Sequence, residues 1–375
     1  MGVGLKRRLT ESARLKSMYR RALEVIDRCR RGYGFSASAH NYRGQLWLRD
    51  LYYSLPSLIA LGRIEEVLSQ VQLTLGMVKD DGGVPDYVAL QFTDSLGARH
   101  LVGFLLDHPY RPWVADTPLL LLIALRGALR PRLPSLSLSR LRLVEERVDR
   151  LRNPYTGLIK GSDYKDSLLF DRYLLSNQVD LYVALKLSGR VSEAERVRQA
   201  IEELYWDEKL GYYRDTPQGS RFDVLAHVKL IDCGVVNGRR AELVAKSIVK
   251  ASTPHGIVNL YPPYAAVEVK GSWAACQETF KVNWRLRILF SYGVWRNARG
   301  GYQNGTIWPF VHNLAVKALL HLGYEREALE NFVKLRGFHE YYDPYTGKGM
   351  GSGEQLWSAA TWVDAYESLV DAGLL

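Results

Sequence analysis

Residues 187–194 read LSGRVSEA and separate two stretches in which apolar residues recur every three to four positions. Segments 61–66 (LGRIEE) and 322–328 (LGYEREA) stand between stretches of the same kind. A glycine after the last apolar position supplies the left-handed residue that ends many helices, and Ser192 with Glu195 has the spacing of a capping box. Each segment therefore predicts a tight turn between antiparallel helices, and their repetition predicts a stack of helical hairpins.

Longer connections alternate with these turns. Three of them, 153–157 (NPYTG), 206–211 (WDEKLG) and 343–347 (DPYTG), carry an Asx residue at or next to their start and end in glycine. About twelve periodic stretches fill the chain, and tight turns at one end with long loops at the other are typical of a barrel of helical hairpins. An α-solenoid is disfavoured because the glycine turns recur at irregular intervals. We expect one barrel over residues 1–375, with a basic helix at 1–34 packed on it.

The composition is that of an ordinary globular protein, with 375 residues, of which 47% are hydrophobic and 24% charged. The longest apolar run, 119–125, is far shorter than the ~20 residues that span a bilayer. Residues 2–31 are basic and amphipathic, unlike a secretory signal. We therefore expect a cytoplasmic protein with no membrane partner.

A net charge of +10 is typical of proteins that bind nucleic acid. The basic residues are scattered along the chain, however, and suit solvated helix faces. We therefore predict no nucleic-acid partner. The three cysteines, Cys29, Cys233 and Cys276, lie far apart, which argues against disulfides and a zinc site. The acidic loop 80–86 is expected to be solvated. No Gly-rich phosphate loop is visible, so we predict no cofactor and no metal.

Carboxylates occur beside aromatic residues in two loops. Segment 161–167 (GSDYKDS) places Asp163 and Asp166 before a helix, and segment 338–347 (FHEYYDPYTG) flanks Glu340 with histidine and two tyrosines. Aromatic walls lower the local dielectric constant and stack on sugar rings. These carboxylates are candidates for acid–base chemistry, although helix capping or simple solvation would also explain them.

Four further segments group polar and aromatic side chains near predicted helix starts: 47–50 (WLRD), 113–118 (WVADTP), 302–309 (YQNGTIWP) and 353–358 (GEQLWS). Each has a purely structural alternative, such as an ion pair, an N-cap or a packed tryptophan. None of them identifies a function by itself.

Taken in chain order, segments 47–50, 163–166, 302–309, 339–343 and 355–358 resemble the signature segments of (α/α)6-barrel glycoside hydrolases. The similar families are the amylo-α-1,6-glucosidase part of glycogen debranching enzymes, the processing α-glucosidases, trehalases and neutral invertases. The resemblance implies an all-α fold, an (α/α)6 toroid of about twelve helices. It also implies a glycosidase that inverts configuration at a terminal, α-glucosidic bond.

By the same resemblance, Asp166 is the general acid and Glu340 the general base. Tyr164 stands where the families have tryptophan, so Asp163 competes with Asp166, and Glu354 competes with Glu340. Such chemistry needs one protonated and one ionised carboxyl group, roughly 6.5–9.5 Å apart in an inverting enzyme, so we expect a raised pKa for the acid.

The remaining predicted site residues would bind the sugar, and they are Trp47, Arg49, Asp50, Asp116, Tyr164, Gln178, Tyr302, Asn304, Trp308, His339, Glu354 and Trp357. A short chain before the first motif favours a small carbohydrate substrate, a di- or oligosaccharide or a glycoside. Two alternatives remain open: a sugar isomerase or epimerase on the same barrel, which would use paired histidines, and a non-catalytic carbohydrate-binding barrel.

Overall fold

The computed structural model describes residues 2–89, 110–132, 137–170 and 172–375. Fourteen α-helices lie within these residues. They are α1 (Gly2–Cys29), α2 (Leu48–Ala60), α3 (Ile64–Gly76), α4 (Asp116–Arg126), α5 (Ser137–Leu151), α6 (Leu175–Leu187), α7 (Val191–Tyr205), α8 (Val224–Asp232), α9 (Gly238–Lys250), α10 (Ala266–Thr279), α11 (Trp284–Ala298), α12 (Pro309–His321), α13 (Glu325–Phe332) and α14 (Leu356–Asp371).

Short antiparallel strand pairs lie in the connections between helices. The strands are β1 (Arg30–Arg31), β2 (Gly34–Phe35), β3 (Gln45–Trp47), β4 (Tyr87–Ala89), β5 (Trp206–Asp207), β6 (Tyr212–Tyr213), β7 (Phe222–Asp223), β8 (Ser252–Thr253), β9 (Gly256–Ile257), β10 (Leu260–Tyr261), β11 (Tyr341–Tyr342) and β12 (Gly349–Met350). The pairs are β1–β2, β3–β4, β5–β6, β7–β10, β8–β9 and β11–β12.

Six of the described helices close a ring. In the order α2, α4, α6, α8, α12 and α14, each packs against the next, and α14 packs against α2. An outer helix covers each member or its junction with a neighbour: α3 lies on α2, α5 on α4, α7 on α6, α9 on α8 and α12, α13 on α12, and α1 on α14. The chain is therefore an (α/α)6 toroid, as predicted.

The inner and outer helices differ in how their apolar residues are distributed, because inner helices are surrounded by protein and outer helices face solvent on one side. In the inner helix α4, every side chain from Leu119 to Leu125 is buried, since other helices surround it on all sides. The outer helix α9 buries one face, at Ala241, Val244, Ala245 and Ile248, and leaves the rest to solvent. The apolar run 119–125, which is too short to span a membrane, therefore belongs to a helix of the protein core.

Tight turns connect each of three inner helices to the next outer helix, and they match the predicted glycine turns. Gly62, Gly189 and Gly323 have φ values of 72°, 76° and 80° after α2, α6 and α12. The predicted capping box is wrong, because α7 begins at Val191, before Ser192, and has no side-chain cap.

The long loops run from outer to inner helices. In the loops at Asn153, Asp207 and Asp343, the side-chain oxygen accepts hydrogen bonds from the backbone N–H groups two and three residues later. These loops and the N-termini of the inner helices therefore share one end of the toroid.

Helices α10 and α11 form an additional hairpin between outer α9 and inner α12, which the sequence pattern did not predict. Its apolar core includes Trp273 and Phe290, which pack with Trp113 and Phe170. The amphipathic pattern of α11 is obscured because apolar side chains also lie on its exposed face, at Trp284, Ile288, Tyr292 and Trp295.

The described helices include none that combines the length and the apolar character needed to cross a bilayer. Cys29, Cys233 and Cys276 form no disulfide bond with one another.

Candidate active site

A pocket with about 400 Å³ of empty space, including the part open to solvent, lies at the N-terminal ends of the inner helices. The residues that line it are Ala37, Tyr42, Trp47, Arg49, Asp50, Tyr164, Asp166, Tyr302, Gln303, Trp308, Glu340, Gln355 and Trp357. Nine of them were predicted as site residues. Asp166 and Glu340 are both among the nine.

Helix starts place several of these side chains. Trp47, Trp308 and Gln355 are the N-cap residues of α2, α12 and α14. Arg49 and Asp50 therefore lie in the first turn of α2. Since the inner helices form a ring, segments that are distant in sequence bring their first turns to one opening.

Aromatic rings form one wall of the pocket. The Trp308 ring centroid lies 5.7 Å from that of Tyr164, 5.5 Å from that of Tyr302 and 5.7 Å from that of Trp357. Elsewhere in the lining, Trp47 stacks on Tyr87 at 4.6 Å. Rings of this kind suit the apolar C–H faces of a sugar.

Asp166 is buried and is held by two arginines. Its Oδ2 accepts hydrogen bonds from Nη2 of Arg49 at 2.7 Å and from Nη1 of Arg111 at 2.5 Å, and its Oδ1 accepts one from Nε2 of Gln303 at 3.1 Å. Burial alone would raise the pKa of Asp166, but the guanidinium groups of Arg111 and Arg49 hold it below its ordinary value. This lowered pKa differs from the raised pKa that was expected for the general acid.

A second layer of carboxylates holds the same arginines. Asp86 accepts hydrogen bonds from Nε of Arg111 at 2.5 Å and from the hydroxyl of Thr117 at 2.6 Å. The loop that contains Asp86 was expected to be solvated, but Asp86 is buried. Asp116 lies 3.4 Å from Nη1 of Arg49, and burial raises the pKa of Asp116 to about 7. Asp116 thus supports Arg49 from behind the pocket.

Glu340 faces the pocket from the loop before β11. The hydroxyl of Tyr42 lies 3.3 Å from Oε1, and the backbone N–H of Ser352 donates to Oε2 at 3.2 Å. Burial raises the pKa of Glu340, and these two donors partly oppose that effect. Gly351, with φ at 69°, passes so close that an added Cβ would lie 2.7 Å from the Cβ of Glu340.

Asp50 is a third carboxyl group in the lining. Its Oδ1 accepts a hydrogen bond from Nε2 of Gln355 at 2.8 Å. Burial raises the pKa of Asp50 to about 8, so the group holds a proton near neutral pH. A protonated carboxyl can both donate to and accept from sugar hydroxyls.

The competing acid, Asp163, lies outside the pocket lining. It is buried and paired with Nζ of Lys165 at 2.5 Å, and the same ammonium group lies 2.8 Å from Asp223. Burial opposes ionisation of Asp163, but the contact with Lys165 dominates and lowers its pKa. The pair holds the loop of Asp166 in place.

Five predicted binding residues also lie outside the pocket lining, namely Asp116, Gln178, Asn304, His339 and Glu354. Gln178 accepts from the backbone N–H of Ile159 at 2.9 Å, and Asn304 accepts from that of Tyr264 at 2.7 Å, so both hold loops. The competing base, Glu354, forms an ion pair with Arg28 at 2.8 Å.

Sequence reasoning missed Tyr42, Arg111, Gln303 and Gln355. The two glutamines lie inside segments 302–309 and 353–358, where amides near a helix start could have indicated them. Arg111 carried no signal among 50 basic residues, because its significance comes from the contact with Asp166.

The chain is similar to known glycoside hydrolases in sequence. A model of the family described as "Mannosylglycerate hydrolase MGH1-like glycoside hydrolase domain" matches residues 166–358, about half of the chain. The mannosylglycerate hydrolase of Rubrobacter radiotolerans is 26% identical over 212 residues. That match covers 52% of this chain and 42% of the relative, so the chain spans less than half of that protein's length in the alignment.

Solved structures share the fold. The GH63 mannosylglycerate hydrolase from Thermus thermophilus, in complex with Tris and D-glycerate, has a TM-score of 0.62 at 16% identity, covering 93% of this chain and 100% of that one. The same enzyme in complex with glucose has a TM-score of 0.61 at 17% identity, with the same coverage. A rhamnosidase from Klebsiella oxytoca with rhamnose bound has a TM-score of 0.63 at 15% identity, covering 95% and 64%.

Proposed function

The chain belongs to the MGH1-like glycoside hydrolase family, and from this premise we propose that it hydrolyses the terminal bond of a small α-linked hexoside with inversion of configuration. The observation that carries the proposal is the presence of Asp166 and Glu340 in one aromatic-walled pocket. A glycosidase needs two carboxyl groups on either side of the scissile bond, and these two come from loops that are far apart in sequence.

Each carboxyl group has a distinct role in the reaction. Asp166 protonates the glycosidic oxygen, and Glu340 removes a proton from a water molecule that attacks the opposite face of the sugar. The hydroxyl of Tyr42 and the N–H of Ser352 orient Glu340. Arg49 and Asp50 bind hydroxyls of the sugar, and the ring of Trp308 stacks against it.

Proton donation by Asp166 requires a change when substrate binds. Arg49 and Arg111 favour the ionised form of Asp166. Sugar hydroxyls that accept hydrogen bonds from these guanidinium groups would weaken their hold on Asp166 and raise its pKa. In the free enzyme, therefore, the productive form, with Asp166 protonated and Glu340 ionised, is a minor fraction.

The relatives support a small substrate. Solved structures with the same fold hold D-glycerate or glucose, both of which are small molecules. The families that the sequence resembles favour an α-glucoside, whereas the relative's name refers to a mannoside. Both sugars belong in the test.

The alternatives receive less support from the site. The pocket lining, as far as the structure describes it, contains no histidine, which disfavours an isomerase or epimerase that relies on paired histidines. A non-catalytic sugar-binding barrel would not need two carboxyl groups in the pocket.

The test is hydrolysis of a panel of α-glucosides and α-mannosides with short aglycones, followed by proton NMR. We expect the first-formed sugar to be the β-anomer, before mutarotation. Release of the α-anomer would refute inversion, and no release from any member would refute the glycosidase proposal for small α-hexosides.

A further inference from the structure

Five buried side chains form a cluster of charged groups that extends from the pocket into the protein, and we call it the arginine–carboxylate cluster. Its members are Arg49, Arg111, Asp86, Asp116 and Asp166, and each is at most 8% exposed. Of these, Arg49 and Asp166 line the pocket, and the other three lie behind it. Because little water reaches the cluster, its charges are weakly screened and act strongly on one another.

Both arginines contact Asp166 on one side and Asp86 on the other. Arg111 donates to Asp166 through Nη1 and to Asp86 through Nε, in both cases at 2.5 Å. Nη2 of Arg49 lies 2.7 Å from Oδ2 of Asp166. Nη1 of the same arginine lies 3.6 Å from Oδ1 of Asp86 and 3.4 Å from Oδ1 of Asp116. Three carboxyl groups therefore share two guanidinium groups.

Other charged or titratable groups act on members of the cluster from several elements. They are Asp50 and Tyr53 on α2, Asp163 in the loop before α6, Lys229 on α8, Tyr302 before α12 and Glu340 before β11. Among the described residues, the ion pairs of the two arginines all go to the three carboxyl groups of the cluster. The charge that the arginines present to Asp166 therefore depends most directly on the other two carboxyl groups.

The acid step makes this balance important. A cation beside a carboxylate favours its ionised form, and Arg111 and Arg49 already hold the pKa of Asp166 below its ordinary value. A general acid must nevertheless hold a proton until it donates it. Carboxylates on the far side of the arginines oppose their charge and so favour the proton on Asp166.

We propose that Asp86 and Asp116 are positioning residues for the acid step. By offsetting the charge of the two arginines, they allow Asp166 to carry the proton that it donates. This inference rests on the proposed function, because it concerns the acid of the same reaction. Neither Asp86 nor Asp116 lines the pocket, so both act through the arginines.

The first test compares Asp86→Asn with the unaltered enzyme on two substrates of the sugar that the enzyme hydrolyses, an unactivated α-glycoside and the α-glycosyl fluoride. Asparagine resembles aspartate in size but carries no charge. We expect kcat/KM for the glycoside to fall about 10- to 100-fold, because less of the enzyme holds the proton on Asp166. Fluoride leaves with little help from an acid, so the value for the fluoride should change by less than about threefold.

The pH profile of kcat/KM for the glycoside gives a second readout of Asp86→Asn. Without the charge of Asp86, the arginines hold the pKa of Asp166 lower still. The limb of the profile that Asp166 controls should therefore move to lower pH, and the limb that Glu340 controls should move less. A side chain that only supports the fold would lower the rate without moving either limb.

Asp116→Asn tests the same idea and leaves Asp86 in place. Burial raises the pKa of Asp116 to about 7, so below that pH the group is neutral in the unaltered enzyme and the variant should match it. As the pH rises through about 7, ionised Asp116 opposes the charge of Arg49 in the unaltered enzyme alone. The variant should then fall behind on the glycoside but not on the fluoride.

Asp215→Asn is the matched control. Asp215 is also a buried carboxyl group whose pKa is raised to about 7, but it accepts hydrogen bonds from the hydroxyl of Tyr264 and the backbone N–H of Arg221. Its replacement removes a buried carboxyl group without changing the arginine–carboxylate cluster. The ratio of the glycoside and fluoride rates should therefore stay the same at every pH.

Equal losses on both substrates in Asp86→Asn and Asp116→Asn, with neither pH limb moved, would mean that the two residues only support the fold and would overturn the inference. Unchanged rates in both variants would also overturn it. Either result leaves the glycosidase proposal intact, because the unaltered enzyme still cleaves both substrates. Failure of the unaltered enzyme to cleave any α-hexoside or glycosyl fluoride would instead refute the proposed function itself.

Discussion

Nη1 of Arg111 donates a 2.5 Å hydrogen bond to the carboxylate of Asp166, the group proposed to protonate the leaving oxygen. This contact helps to hold the pKa of Asp166 below its ordinary value, while burial raises that of Glu340. Before substrate binds, Asp166 and Glu340 are therefore expected to titrate in the opposite order to their roles.

The first prediction follows from this order and concerns the pH dependence of kcat/KM, which reports the free enzyme. Below both pKa values, Glu340 is protonated and activity falls. Between the two pKa values, a rise in pH removes the proton of Asp166 but also ionises Glu340, so the fraction of the productive form stays constant. Above both pKa values Glu340 is already ionised, so only the loss of the Asp166 proton continues and activity falls. The acidic limb then belongs to Asp166 and the alkaline limb to Glu340.

The variant Tyr42→Phe shows which carboxyl group controls each limb of the kcat/KM profile. It removes a donor that stabilises the ionised Glu340, so it raises the pKa of Glu340 further. We expect the alkaline limb of the kcat/KM profile to move to higher pH and the acidic limb to stay. Movement of the acidic limb alone would show that Glu340 titrates first and that the order is the ordinary one.

The second prediction concerns the close approach of Gly351 to Glu340. An added Cβ would lie 2.7 Å from the Cβ of Glu340, so Gly351→Ala should displace that side chain and lower kcat about 10- to 100-fold. Gly62→Ala is the control, because Gly62 has a similar φ of 72° with open space around it.

Both alanine variants should lose unfolding free energy, on the order of 1 kcal/mol from the left-handed backbone that both force on alanine, and Gly351→Ala should lose more because its Cβ also meets the buried Glu340 side chain. Only Gly351→Ala should lose kcat. An equal kcat in the two variants would contradict the proposed role of this contact in positioning Glu340.

The third prediction is a pH-dependent change in stability from Asp50. Its pKa is about 8 in the folded protein against an ordinary value of 3.8. Between these values the folded state binds a proton that the unfolded state has released, so this group makes the protein less stable as the pH rises, by about 1.4 kcal/mol per pH unit at most.

Asp50→Asn cannot ionise and should escape this loss. Urea unfolding at pH 5, 6.5 and 8 should show the variant gaining stability relative to the unaltered protein as the pH rises. Asp80→Asn, at an exposed position, sets the baseline for replacing an aspartate. A difference that is the same at all three pH values would mean that Asp50 is ionised throughout.

Much of the fold could be predicted because it depends on local chemistry. The glycines at 62, 189 and 323 and the Asx loops at 153 and 343 form their turns through neighbouring backbone groups. The hairpin α10–α11 could not be predicted in the same way, because its exposed apolar face hides the pattern that marks a surface helix.

The site residues likewise fall into those that a local motif could predict and those that it could not. Trp308 and Arg49 could be predicted because they stand in short motifs at helix starts, where side chains reach a shared opening. Asn304 belongs to an equally suggestive segment, and Gln178 was also predicted as a binding residue, yet both bind loop backbone rather than face the pocket. Arg111 depends on a contact across 55 positions of sequence, which no local pattern records.

The most direct test of the central claim compares Asp166→Asn and Glu340→Gln on two substrates of the same sugar, an unactivated α-glycoside and the α-glycosyl fluoride. Glu354→Gln is the control, because this competing carboxylate lies outside the pocket lining and pairs with Arg28. All three variants should keep a melting temperature close to that of the unaltered enzyme, which separates loss of chemistry from loss of fold.

On the unactivated glycoside, both pocket variants should lose about 10²–10⁴-fold in rate because each lacks the acid or the base. Fluoride leaves with little help from an acid, so Asp166→Asn should regain most of its lost rate on the glycosyl fluoride. Glu340→Gln should stay inactive on both substrates. Glu354→Gln should remain active on both. Recovery of Glu340→Gln on the fluoride, or near-normal hydrolysis of the unactivated glycoside by either pocket variant, would contradict the assignment of the two carboxyl groups.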